Sequence, residues 1–164
     1  MATEVPELDE HDTRILAELQ RDARTSMAEL GRLVQLSQPA VTERVRKMEM
    51  AGFIKGYRAV VDYQRLGYGI RAILRLGRVE YVRLVKVIEQ TPEVVSAFNL
   101  AGEASWILEV VVIDVEHLDA VVSKFDLLAD TSTSIVLNVP RETAAVLPAR
   151  RDNIRPVVRK VTGR

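Results

Sequence analysis

Apolar residues recur at helical spacing near the start of the chain: Ile15, Leu16 and Leu19 share one face after Leu8-Asp9-Glu10. The pattern predicts a first helix with Asp9 as its N-cap and acidic residues in its first turn. Asp22-Ala23-Arg24-Thr25 breaks it. Ser26-Met27-Ala28-Glu29 then has the capping-box spacing, and Leu30, Leu33 and Val34 follow as a stripe, predicting a second helix of about two turns. After Gln35-Leu36, Ser37 is placed to cap a third helix, with Pro39 in its first turn and Gly52 ending it after Ala51. Two helices joined by so short a turn form a helix-turn-helix. At about 100° per residue from Val41, Val45 falls near 40° and Met48 near 340°, while Thr42, Arg46, Pro39, Glu43 and Lys47 occupy roughly 100° to 240°. One face is therefore apolar and the opposite one polar and partly cationic, as a helix lying in a DNA major groove requires; an ordinary solvated amphipathic helix has the same pattern. Arg44 falls at the border, within reach of a phosphate.

Phe53-Ile54 returns to the core, and residues 55–62 read as an extended wing or hinge strand, with Tyr57 packing there. From residue 70 the period changes. Residues 70–76, 94–100, 106–113 and 132–139 read as strands, and residues 81–90 and 115–128 as helices with Val82, Val85, Ile88 and then Leu118, Val121, Val122, Phe125 facing inward. The order β-α-β-β-α-β is ferredoxin-like. The chain is thus read as α+β, with an N-terminal winged helix-turn-helix and a C-terminal ferredoxin-like domain. Residues 1–54 form the former, 55–69 a hinge, 70–139 the latter and 140–164 a basic tail, read as solvated. Two helices cover one face of a four-stranded sheet; the second and third strands look apolar on both faces, which implies a homo-oligomer through the uncovered one.

Composition narrows the function classes. With 48% hydrophobic residues the chain can bury a core, and no apolar run nears the ~20 residues of a membrane span. Without cysteine it holds no disulfide or thiolate site; with no apolar leader visible, a cytoplasmic protein is expected. Net charge is zero, but the charge is unevenly distributed: residues 141–164 carry 7 basic and 2 acidic side chains, and residues 38–58 carry Arg44, Arg46, Lys47, Lys55 and Arg58 against Glu43 and Glu49. No enzyme is expected. His11 and His117 lack ligand-spaced partners, so no metal site is read. Gly67-Tyr68-Gly69 lacks the later glycine of a nucleotide fingerprint, and Glu103 and Glu109 lie on a hairpin without a defined cleft. An architectural protein wrapping DNA with little sequence preference is the competing reading, and neutrality weakens it.

From Leu8 to about Val139 the chain resembles the Lrp/AsnC (leucine-responsive, feast/famine) transcription factors. The resemblance rests on residues 8–16 (LDEHDTRIL), 19–24 (LQRDAR), Leu36-Ser37, 43–49 (ERVRKME) and 52–57 (GFIKGY). It implies a sequence-specific regulator of double-stranded DNA whose recognition helix spans Gln38 to Ala51, with Ser37, Gln38, Pro39, Thr42, Glu43, Arg44, Arg46 and Lys47 at the DNA. It also implies dimers assembling further, as into octamers, and an amino-acid effector bound between dimers; no other cofactor and no membrane partner are implied. The effector loop would be Ala101, Gly102, Glu103, Ala104, Ser105 and Trp106, with Thr133 and Ser134 as a second wall. Two departures stand out. Gln35 occupies a turn position where the family commonly has glycine, and Ser105-Trp106 replaces the common Asp-Tyr, so a neutral hydroxyl stands where a carboxylate would pair with an α-ammonium group.

Overall fold

In a computed structural model, residues 7–102 and 105–149 are described. The chain divides into two compact units, residues 1–58 with 141–164 and residues 59–140.

The first unit is built on α1 (Glu10–Arg21), α2 (Met27–Val34) and α3 (Gln38–Met50). Their starts follow the local capping chemistry. The Asp9 carboxylate accepts from the backbone N–H of Asp12 at 2.8 Å, and the Asp12 carboxylate accepts from that of Asp9 at 3.1 Å, a reciprocal box. Ser26 and Ser37 accept from the N–H groups of Glu29 and Ala40. Ile15, Leu19, Leu30, Val34, Val41, Val45 and Met48 form the core, with Phe53 and Ile54 packed against it. Leu33, expected in the stripe of α2, is instead 37% exposed, and Gly31 is buried in its place. The reason is close approach: a Cβ on Gly31 would lie 2.7 Å from the Leu36 carbonyl oxygen, so α2 turns its Gly31 side toward the chain entering α3. Gln35 does adopt the left-handed conformation, at φ 60° and ψ 43°, which costs about 1–2 kcal/mol without glycine.

The second unit contains β1 (Ile70–Leu76), α4 (Tyr81–Glu89), β2 (Val94–Asn99), β3 (Trp106–Val112), α5 (Val115–Asp126) and β4 (Thr131–Ile135). The antiparallel sheet has the order β2-β3-β1-β4. Ala72, Leu74 and Leu76 of β1 and Trp106, Leu108, Val110 and Val112 of β3 form one buried face, with Leu84 of α4 and Leu118, Val121 and Phe125 of α5 in the same core. Val82, expected inward, is 70% exposed, because α4 buries the face centred on Leu84. The last strand is shorter than the 132–139 expected from sequence. Its partner β1 starts at Ile70; Val136 still donates to the Arg71 carbonyl at 2.8 Å, and Leu137 beyond it is 94% exposed. Residues 55–62, expected as a wing or hinge strand, have no sheet partner among the described residues.

Candidate nucleic-acid interface and sensor loop

Burial of Val41, Val45 and Met48 turns the other side of α3 outward. Gln38, Pro39, Thr42, Glu43, Arg46, Lys47 and Met50 are all exposed. Pro39 fits the first turn, where its missing N–H removes no helical hydrogen bond. Ser37 spends its hydroxyl on the cap, accepting from Ala40, and the Thr42 hydroxyl donates to the Gln38 carbonyl at 2.9 Å. Arg46 makes a two-pronged pair with Glu43, Nε to Oε2 at 2.8 Å and Nη2 to Oε1 at 2.7 Å. Its remaining Nη1 meets the Met50 sulfur at 2.8 Å. Hydrogen bonding to Arg46 holds the Glu43 carboxyl below its ordinary range, and the same bonds raise Arg46. Lys47 Nζ lies 3.9 Å from Glu43.

Arg44 stands apart from this face. It is half-buried, and its Nη1 donates at 2.7 Å to Asp9 and at 2.7 Å to Asp12, so it ties the middle of α3 to the cap of α1. The two carboxylates hold it charged, Asp12 contributing most. Asp9 is lowered chiefly by the Asp12 N–H that it caps, and also by Arg44. Helical angle alone directs Arg44 toward DNA and leaves Asp12 out. The Asp-x-x-Asp capping box at residues 9–12 is a local signal, but its partner 32 residues away is not. Met50 is also absent from the expected DNA-facing set, although it lies one turn beyond Arg46, near 180° from Val41 at about 100° per residue. At the end of α3 the Tyr57 hydroxyl donates to Glu49 at 2.9 Å; burial first, and then this carboxylate, push the phenol up to about 12.

On the side of α1, a cavity of about 580 Å³ is lined by Leu16, Leu19, Phe53 and Ile54 and bordered by residues 143–146. There the Gln20 amide clamps the backbone of Val146, donating to its carbonyl at 3.0 Å and accepting from its N–H at 2.8 Å. The basic tail is therefore anchored at least to Val146; residues 150–164 lie outside the described residues.

In the second unit the candidate effector residues separate. Ala101 and Gly102 are exposed at the β2–β3 turn, with Gly102 at φ 150°, while Glu103 and Ala104 lie outside the described residues. Ser105 extends the start of the interior strand β3, its N–H donating to the Leu76 carbonyl of β1 and its carbonyl accepting from the Leu100 N–H beyond β2. Trp106 is only 5% exposed and packs against Tyr81 in a tilted ring contact, centroids 5.6 Å apart, so it fills the core rather than facing the loop. Thr133 and Ser134 are exposed neighbours on β4 and point to opposite faces of the sheet. Ser134 accepts from Arg75 at 3.0 Å. Strand β1 separates β4 from β3, so a single chain does not bring this pair to the turn.

The face of the sheet away from the helices carries Ile73, Ile107, Phe98 and the Arg71–Glu109 ion pair, with Arg71 also 5.8 Å from the Tyr63 ring. The reading of β3 as apolar on both faces misses Glu109. No group of metal-ligating side chains occurs among the described residues, and no helix there is long and apolar enough to cross a membrane.

Comparison with known proteins gives each unit a counterpart. Residues 8–49 match the AsnC-type helix-turn-helix domain, and residues 73–146 match the Lrp/AsnC ligand binding domain. The chain is 35% identical over 133 residues to the HTH-type transcriptional regulator LrpC of Bacillus subtilis, covering 80% of this chain and 92% of that one. It is 41% identical over 130 residues to an HTH-type transcriptional regulator of Mycobacterium tuberculosis, covering 77% and 88%. The solved structure of Bacillus subtilis LrpC superposes with a TM-score of 0.77 at 34% identity, over 82% of this chain and 97% of that one. A Neisseria meningitidis transcriptional regulator solved with L-methionine superposes at 0.79 and 27% identity, over 85% and 96%.

Proposed function

This chain belongs to the Lrp/AsnC family of transcriptional regulators, and from that premise we propose that it reads operator DNA with α3 while its second unit assembles the protein and binds an amino acid or related metabolite. The families and relatives that it matches are transcriptional regulators, not enzymes. The observation that carries the DNA reading is the division of α3. Val41, Val45 and Met48 are buried, so Gln38, Pro39, Thr42, Glu43, Arg46 and Lys47 form one continuous outward face of a helix delivered by a helix-turn-helix.

Assembly rests on the uncovered sheet face. Phe98 is 55% exposed there opposite Ile107, with Ile73 on the same face two strands away, and a second copy of the same face would cover these apolar side chains. Further assembly of dimers, and an effector seated between them at the Ala101–Gly102 turn, are the finer part of the proposal. The L-methionine bound to the Neisseria relative supports an amino acid as the ligand class. A site made between copies also accounts for the separation of the turn from Thr133 and Ser134 within one chain.

The DNA reading is tested by competition. The protein should prefer a fragment of its own promoter over random DNA by at least ~10³-fold at physiological salt. Equal affinities would favour the architectural alternative. Arg46→Ala should weaken promoter binding and leave the assembly intact in sedimentation.

A further inference from the structure

Every cation of the candidate recognition helix is already engaged within the chain. Arg44 is held by Asp9 and Asp12, Arg46 by both oxygens of Glu43, and Lys47 lies 3.9 Å from the same carboxylate. The chain as a whole is neutral. Affinity for DNA irrespective of sequence grows with the phosphates that free cations neutralise. Here α3 presents a carboxylate in the centre of its outward face, where it repels the phosphates and occupies the arginine best placed to read a base.

The Glu43–Arg46 pair is also easily exchanged. The side chains are 47% and 54% exposed, and an exposed i,i+3 pair is a weak one. A guanine edge offers Arg46 the same two-pronged geometry through O6 and N7. Once Arg46 moves there, Glu43 faces DNA without its two-pronged partner, and only Lys47 Nζ, 3.9 Å away on a side chain 70% exposed, stays near it. A carboxylate pressed against a groove without a donor is heavily penalised, so the exchange is favourable only where the DNA supplies one. The donor suited to a carboxylate is the N4 amino group of cytosine. Residues i and i+3 on a helix have Cβ atoms about 5–6 Å apart, against roughly 3.4 Å between base steps, so the two side chains are spaced to address adjacent base pairs.

We propose that Glu43 determines specificity: it masks Arg46 in the free protein and releases it only where a cytosine lies on the base pair adjacent to the guanine that Arg46 reads. This inference rests on α3 being the DNA-reading helix. It gives the acidic residue in the middle of a recognition surface a role, with selectivity gained by lowering affinity for every other sequence.

The test compares full-length wild type with Glu43→Gln, and with Glu43→Ala as a second removal of the charge. Each is titrated with a fluorescent random-sequence duplex pool across a salt series and then put through selection from that pool. Both variants should bind the random pool about tenfold more tightly, with the slope of log affinity against log salt steeper by about one. The wild-type motif should hold a cytosine at that position of each half-site; Glu43→Gln should replace it with adenine, which an amide reads in two-pronged fashion, and Glu43→Ala should lose the preference. An unchanged random-pool affinity, an unchanged salt slope or an unchanged motif in the charge-removed variants overturns the proposal. Arg46→Ala and Gln38→Ala separate the two levels. If they weaken binding to the selected sequence while the Glu43 variants behave as wild type, only this inference fails; if they too leave binding unchanged, the assignment of α3 fails with it.

Discussion

Arg44 Nη1 lies 2.7 Å from Asp12 Oδ1, joining the centre of α3 to the first turn of α1. Asp12 is only 15% exposed and also closes the capping box on Asp9, so one carboxylate serves both the start of α1 and the seating of α3.

Arg44 therefore acts first on stability. Arg44→Ala should destabilise the helical unit by about 1–2 kcal/mol, the value for hydrogen bonds to charged groups reduced by solvent screening because Arg44 is 31% exposed. A double-mutant cycle with Asp12→Asn, followed by urea unfolding, should return a clear coupling energy. Additive effects would mean that the pair is incidental.

The same cluster sets an acid limit. The folded-state pKa of Asp9 is lowered from 3.8, first by the Asp12 N–H and also by Arg44. The unfolded chain thus binds this proton more readily, and stability rises with pH through that range. The contribution is full above pH ~4 and is lost as pH falls through the depressed folded value. Asp9→Asn, which still caps the helix, should flatten the decline in unfolding midpoint below about pH 4; a decline of undiminished slope would remove Asp9 as its source.

The turn between α2 and α3 should respond oppositely to two small changes. Gly31→Ala drives a methyl to 2.7 Å from a backbone oxygen and should cost about 1–3 kcal/mol. Gln35→Gly removes the left-handed penalty and should stabilise by up to about 1 kcal/mol. Thermal melts of both variants decide the matter, since a tolerated Gly31→Ala would contradict the close approach.

If the uncovered sheet face joins two copies, Phe98→Asp should shift the protein toward monomer in sedimentation velocity, with its far-ultraviolet dichroism preserved. Phe98 is 55% exposed within one chain, so the substitution leaves the core intact. An unchanged oligomer would move the interface elsewhere.

What is legible in the sequence is what short segments encode by themselves. Asp9, Ser26 and Ser37 cap their helices because each has an N–H three residues on to receive. Val41, Val45 and Met48 set the inward face of α3 through helical spacing, and the alternation along β1 and β3 sets the sheet. The resemblance rests on the same kind of segment, so the family, the fold and the outward face of α3 follow from the amino-acid sequence alone. Other features depend on which segments meet. Trp106 begins β3 next to the candidate sensor turn, yet the register opposite Leu76 and the position of Tyr81 put its ring in the core. The end of β4 follows from where β1 begins. Arg44 has the helical angle of a phosphate contact, but α1 brings Asp9 and Asp12 against it; Gly31 has the spacing of an ordinary helical position, but the Leu36 carbonyl closes over it. Caps and periods are local properties of neighbouring residues, whereas the partner of a charge and the depth of a ring are decided only by packing between distant parts of the chain.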